Sequence, residues 1–159
     1  MRILTLIDED FANYKKPSMF IGTIKCKGKC CIEQNLPLSI CQNNEWRNKP
    51  VVHIESDLIC HRYMKNYITE ALVIGGLEPF EQFDEIFKLI SMFRNYTNDD
   101  VVIYTGYYPE EIIDQVEELM QFKNIIIKFG RYIPDKPSAF DEVLGITLAS
   151  DNQFAERIS

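Results

Sequence analysis

The sequence predicts an α/β protein with a mainly parallel sheet, covering helices and a cysteine-rich loop after the first core strand. Three observations lead to this prediction. From residue 71 to residue 129, short continuous apolar runs alternate with segments of helical periodicity, which is typical of parallel sheets. Residues 25–50 show neither helical nor strand periodicity, and they contain four of the five cysteines. The length of 159 residues is that of one domain, residues 1–159.

Composition narrows the classes of function. The chain is 46% hydrophobic and 26% charged, which is ordinary for a folded domain. Its 17 Lys and Arg against 24 Asp and Glu give a formal net charge of −7, which argues against a free-standing nucleic-acid binder. The first residues show no apolar signal region, and no apolar run is long enough to span a membrane. We therefore expect a cytoplasmic protein that binds neither nucleic acid nor a membrane.

The first predicted elements are a strand and a long loop. An apolar run at residues 19–24 predicts a strand that leads directly into the cysteine segment. From residue 25 to residue 50 the composition is polar, with Gly28, Pro37 and Pro50, and no regular structure is predicted. A loop of this length is uncommon in a folded domain unless it has a function. A bound metal could supply the order that the loop lacks.

The remaining elements alternate between helices and strands. Ser56 is the predicted N-cap of a helix that runs to about residue 67. Apolar runs predict strands at residues 71–74, 101–105 and 124–129. Helices are predicted to begin at Pro79 and Pro109. The apolar face of the second of these is predicted to consist of Ile112, Ile113, Val116, Leu119 and Met120.

The cysteine loop is the strongest functional signal. Cys26, Cys30, Cys31 and Cys41 lie close together in the sequence, and clustered cysteines in a reducing compartment are more often metal ligands or catalytic groups than disulfides. Thiolates suit iron–sulfur clusters and zinc. Four-cysteine zinc sites usually contain two CxxC pairs, and this chain has no CxxC. Because the side chains of neighbouring Cys30 and Cys31 point in different directions, one of them could be a spectator.

Each cysteine and histidine also has a possible structural role. Free cysteines are often small apolar core residues, but the polar, irregular surroundings of the loop cysteines favour metal binding. Cys60 lies on a predicted helix without a partner cysteine, and we predict that it belongs to the core. His53 and His61 are predicted to be surface residues or hydrogen-bonded core residues rather than metal ligands.

A glycine turn is the second functional signal. Residues 75–79 read Gly-Gly-Leu-Glu-Pro and lie between a predicted buried strand and a helix. In α/β folds, ligands collect beyond the carboxyl ends of the strands. Gly75 and Gly76 would let a ligand approach the backbone, and Glu78 could bind an amine. A plain tight turn would use the same glycines.

Together these segments resemble the radical S-adenosylmethionine (SAM) enzymes, and most of all the small activating enzyme of anaerobic ribonucleotide reductase and similar glycyl-radical-enzyme activases. Cys26 and Cys30 keep the first spacing of the family's CxxxCxxC motif, whereas Glu33 stands at the strict position of the third cysteine. Cys41, followed closely by Asn43, resembles the third cysteine with its trailing asparagine, reached by an insertion.

Three further segments follow in the family's order. The turn at residues 75–79 is similar to the GGEP motif, which meets the amino group of SAM, with Leu77 inserted. Residues 102–107 resemble the YTGY segment of the third strand. Residues 149–153 are similar to a terminal SxNQ element.

The resemblance implies a partial (βα) barrel that holds one [4Fe–4S] cluster and SAM. It implies Cys26, Cys30 and Cys41 as metal ligands, with Cys31 in reserve. The cofactor-binding residues that it implies are Gly75, Gly76, Glu78, Tyr104 and Thr105. Because the cofactors carry the chemistry, no side chain is assigned a catalytic role. Asn43 is expected to order the loop by hydrogen bonding.

The implied activity is that of an oxidoreductase that reductively cleaves SAM to a 5′-deoxyadenosyl radical. In the activases this radical activates a glycyl radical enzyme, such as anaerobic ribonucleotide reductase. The implied partners are that enzyme and a small electron-donor protein, in an anaerobic cytoplasm. The alternative function is that of an iron–sulfur or zinc module for redox sensing or electron transfer, without SAM cleavage.

Overall fold

The computed structural model describes residues 1–159 and contains ten strands. Their bounds are β1 Arg2–Ile3, β2 Thr5–Asp10, β3 Ser18–Thr23, β4 Val52–His53, β5 Ala71–Gly76, β6 Asp100–Tyr104, β7 Ile125–Phe129, β8 Ala139–Asp141, β9 Ile146–Leu148 and β10 Phe154–Arg157. Six of them form one mixed sheet in the order β10-β7-β6-β5-β3-β2. The four central strands pair in parallel, and the two edge strands pair antiparallel. Two small antiparallel pairs, β1–β4 and β8–β9, complete the strand pairing.

Four α-helices and four 3₁₀ turns connect the strands. The helices are α1 Lys29–Ile32, α2 Ser56–Lys65, α3 Phe83–Phe93 and α4 Ile113–Leu119. The 3₁₀ turns span Leu38–Ile40, Asn44–Asn48, Pro79–Gln82 and Pro109–Glu111. None of the helices has the length and apolar character that a membrane span requires.

Apolar side chains cover both faces of the sheet. Successive residues of a strand point to opposite faces, so Leu72 and Ile74 of β5 join one cluster and Val73 joins the other. The larger cluster includes buried residues of α2, α3 and α4. The smaller cluster includes Tyr14 and Leu144, and the single tryptophan, Trp46, packs against it. Helices therefore cover one face, and the N-terminal, C-terminal and cysteine-loop segments cover the other.

The predicted α/β class and mainly parallel sheet are confirmed. The four strands predicted at residues 19–24, 71–74, 101–105 and 124–129 are the four central strands. Edge strands β2 and β10 were not predicted. The strand pairings describe a sheet and do not test closure into a partial barrel, so the barrel and the one-domain division stay predictions.

Several local predictions were wrong. The second helix begins at Ser56 itself, and Glu55 is its N-cap. Pro79 and Pro109 each open a 3₁₀ turn, and the α-helix follows that turn. Ile113 and Met120 are 52% and 53% exposed and do not belong to the buried face, because α4 is short and contacts the sheet through its last turn. The cysteine loop also has more regular structure than predicted, since it contains α1 and two 3₁₀ turns.

Candidate functional site

A cavity of about 430 Å³ lies at the carboxyl ends of the four parallel strands. The loop after β3 supplies its cysteines, and the ends of β5, β6 and β7 supply the opposite wall. Every residue predicted as a site residue lines it: Cys26, Cys30, Cys31, Cys41, Gly75, Gly76, Glu78, Tyr104 and Thr105. The fold therefore brings together three sequence segments that the chain keeps well apart.

The cysteines are arranged around the start of α1. Gly28 precedes this helix with a φ of 76°, in the left-handed region that favours glycine, and its N–H donates to Cys26 Sγ at 3.2 Å. Cys30 and Cys31 follow on the helix, and Cys31 is the most buried of the loop cysteines. A Cβ at Gly106 would lie 2.7 Å from Cys30 Sγ, so glycine at this position makes room for the sulfur.

Burial disfavours the thiolate form of the loop cysteines. Burial raises the pKa of Cys30 to about 11, and the charges of Glu78 and Cys26 add to the shift. Burial also raises the pKa of Cys31, and the charge of Cys41 adds to it. Without a metal, Cys30 and Cys31 stay protonated at neutral pH, so metal binding to them must release protons. No group of three or more His, Cys, Asp or Glu side chains converges to metal-binding distance.

The donor set still fits an iron–sulfur cluster. Four soft thiols line one cavity on a glycine-containing loop, which is the ligand chemistry that such clusters use. Arg47 adds a positive charge to the same wall: its Nη1 donates to Cys26 O at 3.1 Å, while its Nε and Nη2 are buried without a hydrogen-bond partner. An anionic group in the cavity would supply the missing acceptor.

Glu78 is anchored in the opposite wall and only 5% exposed. Its Oε1 accepts hydrogen bonds from Thr105 Oγ1 at 2.7 Å and from Phe80 N at 3.2 Å, and its Oε2 accepts from Gly106 N at 2.9 Å. Burial raises the pKa of Glu78 to about 7, although these hydrogen bonds oppose the shift. The inserted Leu77 therefore does not remove Glu78 from the cavity wall.

Gly76 joins the glycine turn to the cysteine loop. Its φ is 94°, and a Cβ there would lie 3.0 Å from Thr23 N, so both conformation and space require glycine. Its carbonyl oxygen accepts a hydrogen bond from Asn43 Nδ2 at 2.7 Å. Asn43 thus orders the loop by a hydrogen bond, as expected. The carbonyl oxygen of Gly75 accepts from Thr23 Oγ1 at 2.9 Å.

Glu33, at the strict position of the third cysteine, forms an ion pair instead. Its carboxylate lies 2.7 Å from Arg131 Nε, and Arg131 also binds Glu111, with Nη2 to Oε1 at 2.6 Å. Lys29, at the other end of α1, binds Glu111 as well. These residues fasten both ends of the helix that carries Cys30 to the body of the protein.

Other predicted residues have structural surroundings. The Tyr104 hydroxyl donates to Asn13 O, whereas the buried Thr105 hydroxyl donates to Glu78. Cys60 is fully buried in the larger apolar cluster, as predicted. His53 and His61 are exposed, which confirms that they are surface residues.

Sequence reasoning missed two cations and an aromatic residue of the cavity. Lys128 is buried, its pKa is lowered to about 8 by burial, and its Nζ donates to Gly130 O at 2.9 Å. A lysine in an apolar strand was a visible signal, because buried lysines are rare. Trp46 and Arg47 lie in a polar segment, and no local pattern identified them.

Comparison with known proteins agrees with this donor set. A family model described as a 4Fe-4S single cluster domain matches residues 22–152. The match runs from the end of β3 to just before β10 and includes all four loop cysteines and the glycine turn. Searches of curated proteins and of solved structures gave no match. Since the matched region covers most of the chain, the protein belongs to the 4Fe-4S single cluster domain family.

Proposed function

We propose that this iron–sulfur protein is a radical SAM enzyme of the activase type, an oxidoreductase that uses one [4Fe–4S] cluster and SAM. The observation that carries the proposal is the shared cavity. The cysteine loop forms one wall, and the glycine turn with Glu78 forms another, at the carboxyl ends of parallel strands. Family membership supports the cluster, and the second wall supports a small-molecule ligand beside it.

The thiols divide into three assigned ligands and one in reserve. We assign Cys26, Cys30 and Cys41 to three irons and keep Cys31 as the reserve ligand. When bound, a cluster with one open iron supplies the electron that cleaves the S–C5′ bond of SAM, giving methionine and a 5′-deoxyadenosyl radical. Arg47 provides positive charge beside Cys26, and Gly106 leaves room for Cys30 Sγ.

The opposite wall suits the amino acid part of SAM. Cavities that bind small molecules measure about 300–1,000 Å³, and this one has about 430 Å³. A carboxylate has about four acceptor positions. The Glu78 carboxylate accepts three hydrogen bonds from the protein, so one acceptor position stays open for an ammonium hydrogen. Gly75 and Gly76 keep side chains out of the space next to it.

The rim of the cavity supports a protein substrate. Ile7 and Ile40 are exposed apolar side chains that also line the cavity. A loop of a partner protein could cover them while it reaches the site. We propose a glycyl radical enzyme, such as anaerobic ribonucleotide reductase, as this partner and a small electron-transfer protein as the reductant, in an anaerobic cytoplasm.

The test uses protein purified and reconstituted with iron and sulfide without oxygen. Electron paramagnetic resonance (EPR) of the dithionite-reduced protein is recorded with and without SAM, and 5′-deoxyadenosine is assayed. We expect a [4Fe–4S] signal that SAM shifts, together with product formation. Cys26→Ala, Cys30→Ala and Cys41→Ala should each abolish both, whereas Cys60→Ala, which removes a buried thiol outside the cavity, should keep both. A cluster that SAM leaves unchanged, without product, would overturn the proposal.

An electron-transfer module is the second candidate, because Cys31 lines the same cavity and brings the number of available thiols to four. A cluster held by four thiolates has no open iron. Cys31→Ala separates the two functions: the radical SAM enzyme keeps its cluster in this variant, whereas the four-thiolate protein loses it. Metal analysis showing zinc in place of iron would exclude both iron-based functions.

A further inference from the structure

Arg47 is half-buried, and no carboxylate of the protein neutralises its charge. Its Nη1 donates to Cys26 O at 3.1 Å, but its Nε and Nη2 are buried without a hydrogen-bond partner. None of the ion pairs of the chain includes it. Burying a guanidinium donor without an acceptor costs free energy, and native proteins rarely leave one unpaired. An anionic acceptor in the cavity would satisfy the free donors of Arg47.

The surroundings of Arg47 indicate where that acceptor lies. The guanidinium is held against the turn that contains Cys26, because Arg47 Nη1 donates to Cys26 O at 3.1 Å. Its Nη2 lies 3.6 Å from the position of a Cβ at Gly28, whose N–H donates to Cys26 Sγ at 3.2 Å. The free side of the guanidinium therefore lies close to the Gly28 turn that holds the sulfur of Cys26.

The other cation of the cavity is already engaged. Lys128 Nζ donates to Gly130 O at 2.9 Å. Arg131, near the end of α1, forms ion pairs with Glu111 and Glu33. Arg47 is therefore the cation of this wall whose Nε and Nη2 still lack an acceptor.

We propose that Arg47 is a positioning residue that donates a hydrogen bond to the Cys26 thiolate when the cluster is bound and thereby raises the reduction potential of the cluster. One-electron reduction adds a negative charge to the cluster. A nearby positive charge stabilises the reduced form more than the oxidised form, and hydrogen bonds to the cysteine sulfurs act in the same direction. This inference rests on the cluster part of the proposed function and needs no SAM binding.

The planar guanidinium explains why this residue is arginine. Its Nη1 donates to the Cys26 carbonyl oxygen, and the rigid guanidinium leaves Nε and Nη2 free to donate to another acceptor. A lysine ammonium would keep the charge but could not hold both contacts in the same fixed geometry. Arg47→Lys should therefore have a smaller effect than Arg47→Gln.

The test measures the midpoint potential by EPR-monitored titration with dithionite, in the absence of SAM, on protein with determined iron and sulfide contents. Arg47→Gln should weaken the one-electron reduction equilibrium about tenfold, which is a downward shift of about 59 mV. Arg47→Lys should shift the potential less in the same direction. Lys65→Gln is the control, since it removes one positive charge from the exposed end of α2. It should leave the potential unchanged.

An Arg47→Gln protein with full iron content and an unchanged potential would overturn the inference. If this variant binds too little iron for titration, Arg47→Lys decides: a lowered potential supports the inference, and an unchanged one overturns it. The proposed function fails in a different way. Wild-type protein that assembles a cluster but does not cleave SAM would sink the SAM mechanism and leave this measurement valid.

Discussion

The sheet and the cysteine loop are held in place by different interactions. In β5, every residue from Ala71 to Ile74 has no accessible surface, and β7 is buried along its whole length. Within residues 25–50, only Gly28 and Cys31 are buried. Apolar burial, worth about 25 cal/mol per Å², stabilises the sheet, and it contributes little to the loop.

The loop is attached by polar links instead. Asn43 bonds the Gly76 carbonyl oxygen, Gln34 Nε2 donates to Tyr132 O at 3.0 Å, and Glu33 pairs with Arg131. Individual links of this kind contribute only about 0.5–1.5 kcal/mol each. The cavity wall formed by the strand ends is therefore fixed by the fold itself, whereas the cysteine loop is held by a few polar contacts. We expect a bound cluster to add to the order of this loop.

The largest difference in the free energy of unfolding should come from replacing one leucine in the sheet and one in the cysteine loop. Leu72→Ala, in the middle of β5, should lower the free energy of unfolding by about 2–5 kcal/mol, because it leaves a cavity in the core. Leu38→Ala, on the loop and 42% exposed, should change it by about 0.5 kcal/mol or less. Urea unfolding of both variants measures this. Similar losses in the two variants would show that the loop shares the core of the sheet.

The same contrast explains which elements the sequence predicted. Strands β5, β6 and β7 are buried on both faces, so their sequences are continuous apolar runs that stand out locally. Edge strand β2 alternates between half-buried and exposed residues and ends in acids, and β10 has only four residues. Such strands are defined by the neighbour that they pair with, which no local pattern reveals.

The residues of the candidate site also differ in how far the sequence predicted them. The cysteines and the glycine turn were predictable because their residue types and spacings carry the chemistry themselves. Arg47 and Trp46 reach the cavity only through the path of the folded loop, and their segment has no distinctive pattern. Glu33 was recognised as a departure from the family motif, but its ion pair with Arg131 depends on tertiary contact.

Gly106→Ala should separate stability from metal binding. The added Cβ would lie 2.7 Å from Cys30 Sγ, so the thiol must rotate away from its present position. The N–H that donates to Glu78 is retained. We expect the variant to lose most of its iron after anaerobic reconstitution, while its free energy of unfolding without metal changes by less than about 1 kcal/mol. Iron analysis and urea unfolding test this, and full iron content would argue against Cys30 as a ligand.

Cluster binding should change the exchange of backbone amides in one region only. Amide hydrogen exchange would be compared between metal-free and reconstituted protein under anaerobic conditions. We expect protection to rise about tenfold or more in residues 25–50, because metal binding orders the segment that holds the ligands. Amides of β5 and β6 should exchange at unchanged rates. Protection that rises equally in the sheet would mean that the fold as a whole depends on the metal.

A small effect on stability is expected from the ion pairs that fasten α1. Glu111 accepts from Arg131 Nη1 at 2.7 Å and also binds Lys29 at the start of α1. Glu111→Gln should lower the free energy of unfolding by roughly 1 kcal/mol at neutral pH, the usual size for a partly exposed ion pair. Glu110→Gln is the matched control, because its side chain is exposed on the same turn. Urea unfolding of both variants measures the difference.

The pH dependence of this difference provides its own check. The hydrogen bond from Arg131 is the main reason that the pKa of Glu111 falls from 4.5 to about 2. A carboxyl whose pKa is lower in the folded state stabilises that state fully above its unfolded pKa. The contribution is lost as the pH falls through the folded value. The gap between wild type and Glu111→Gln should therefore be constant above about pH 5 and narrow between pH 4.5 and about 2. A gap that stays constant into acid would mean that Glu111 acts through packing rather than charge, and the loop would then resemble the sheet more closely than its exposure indicates.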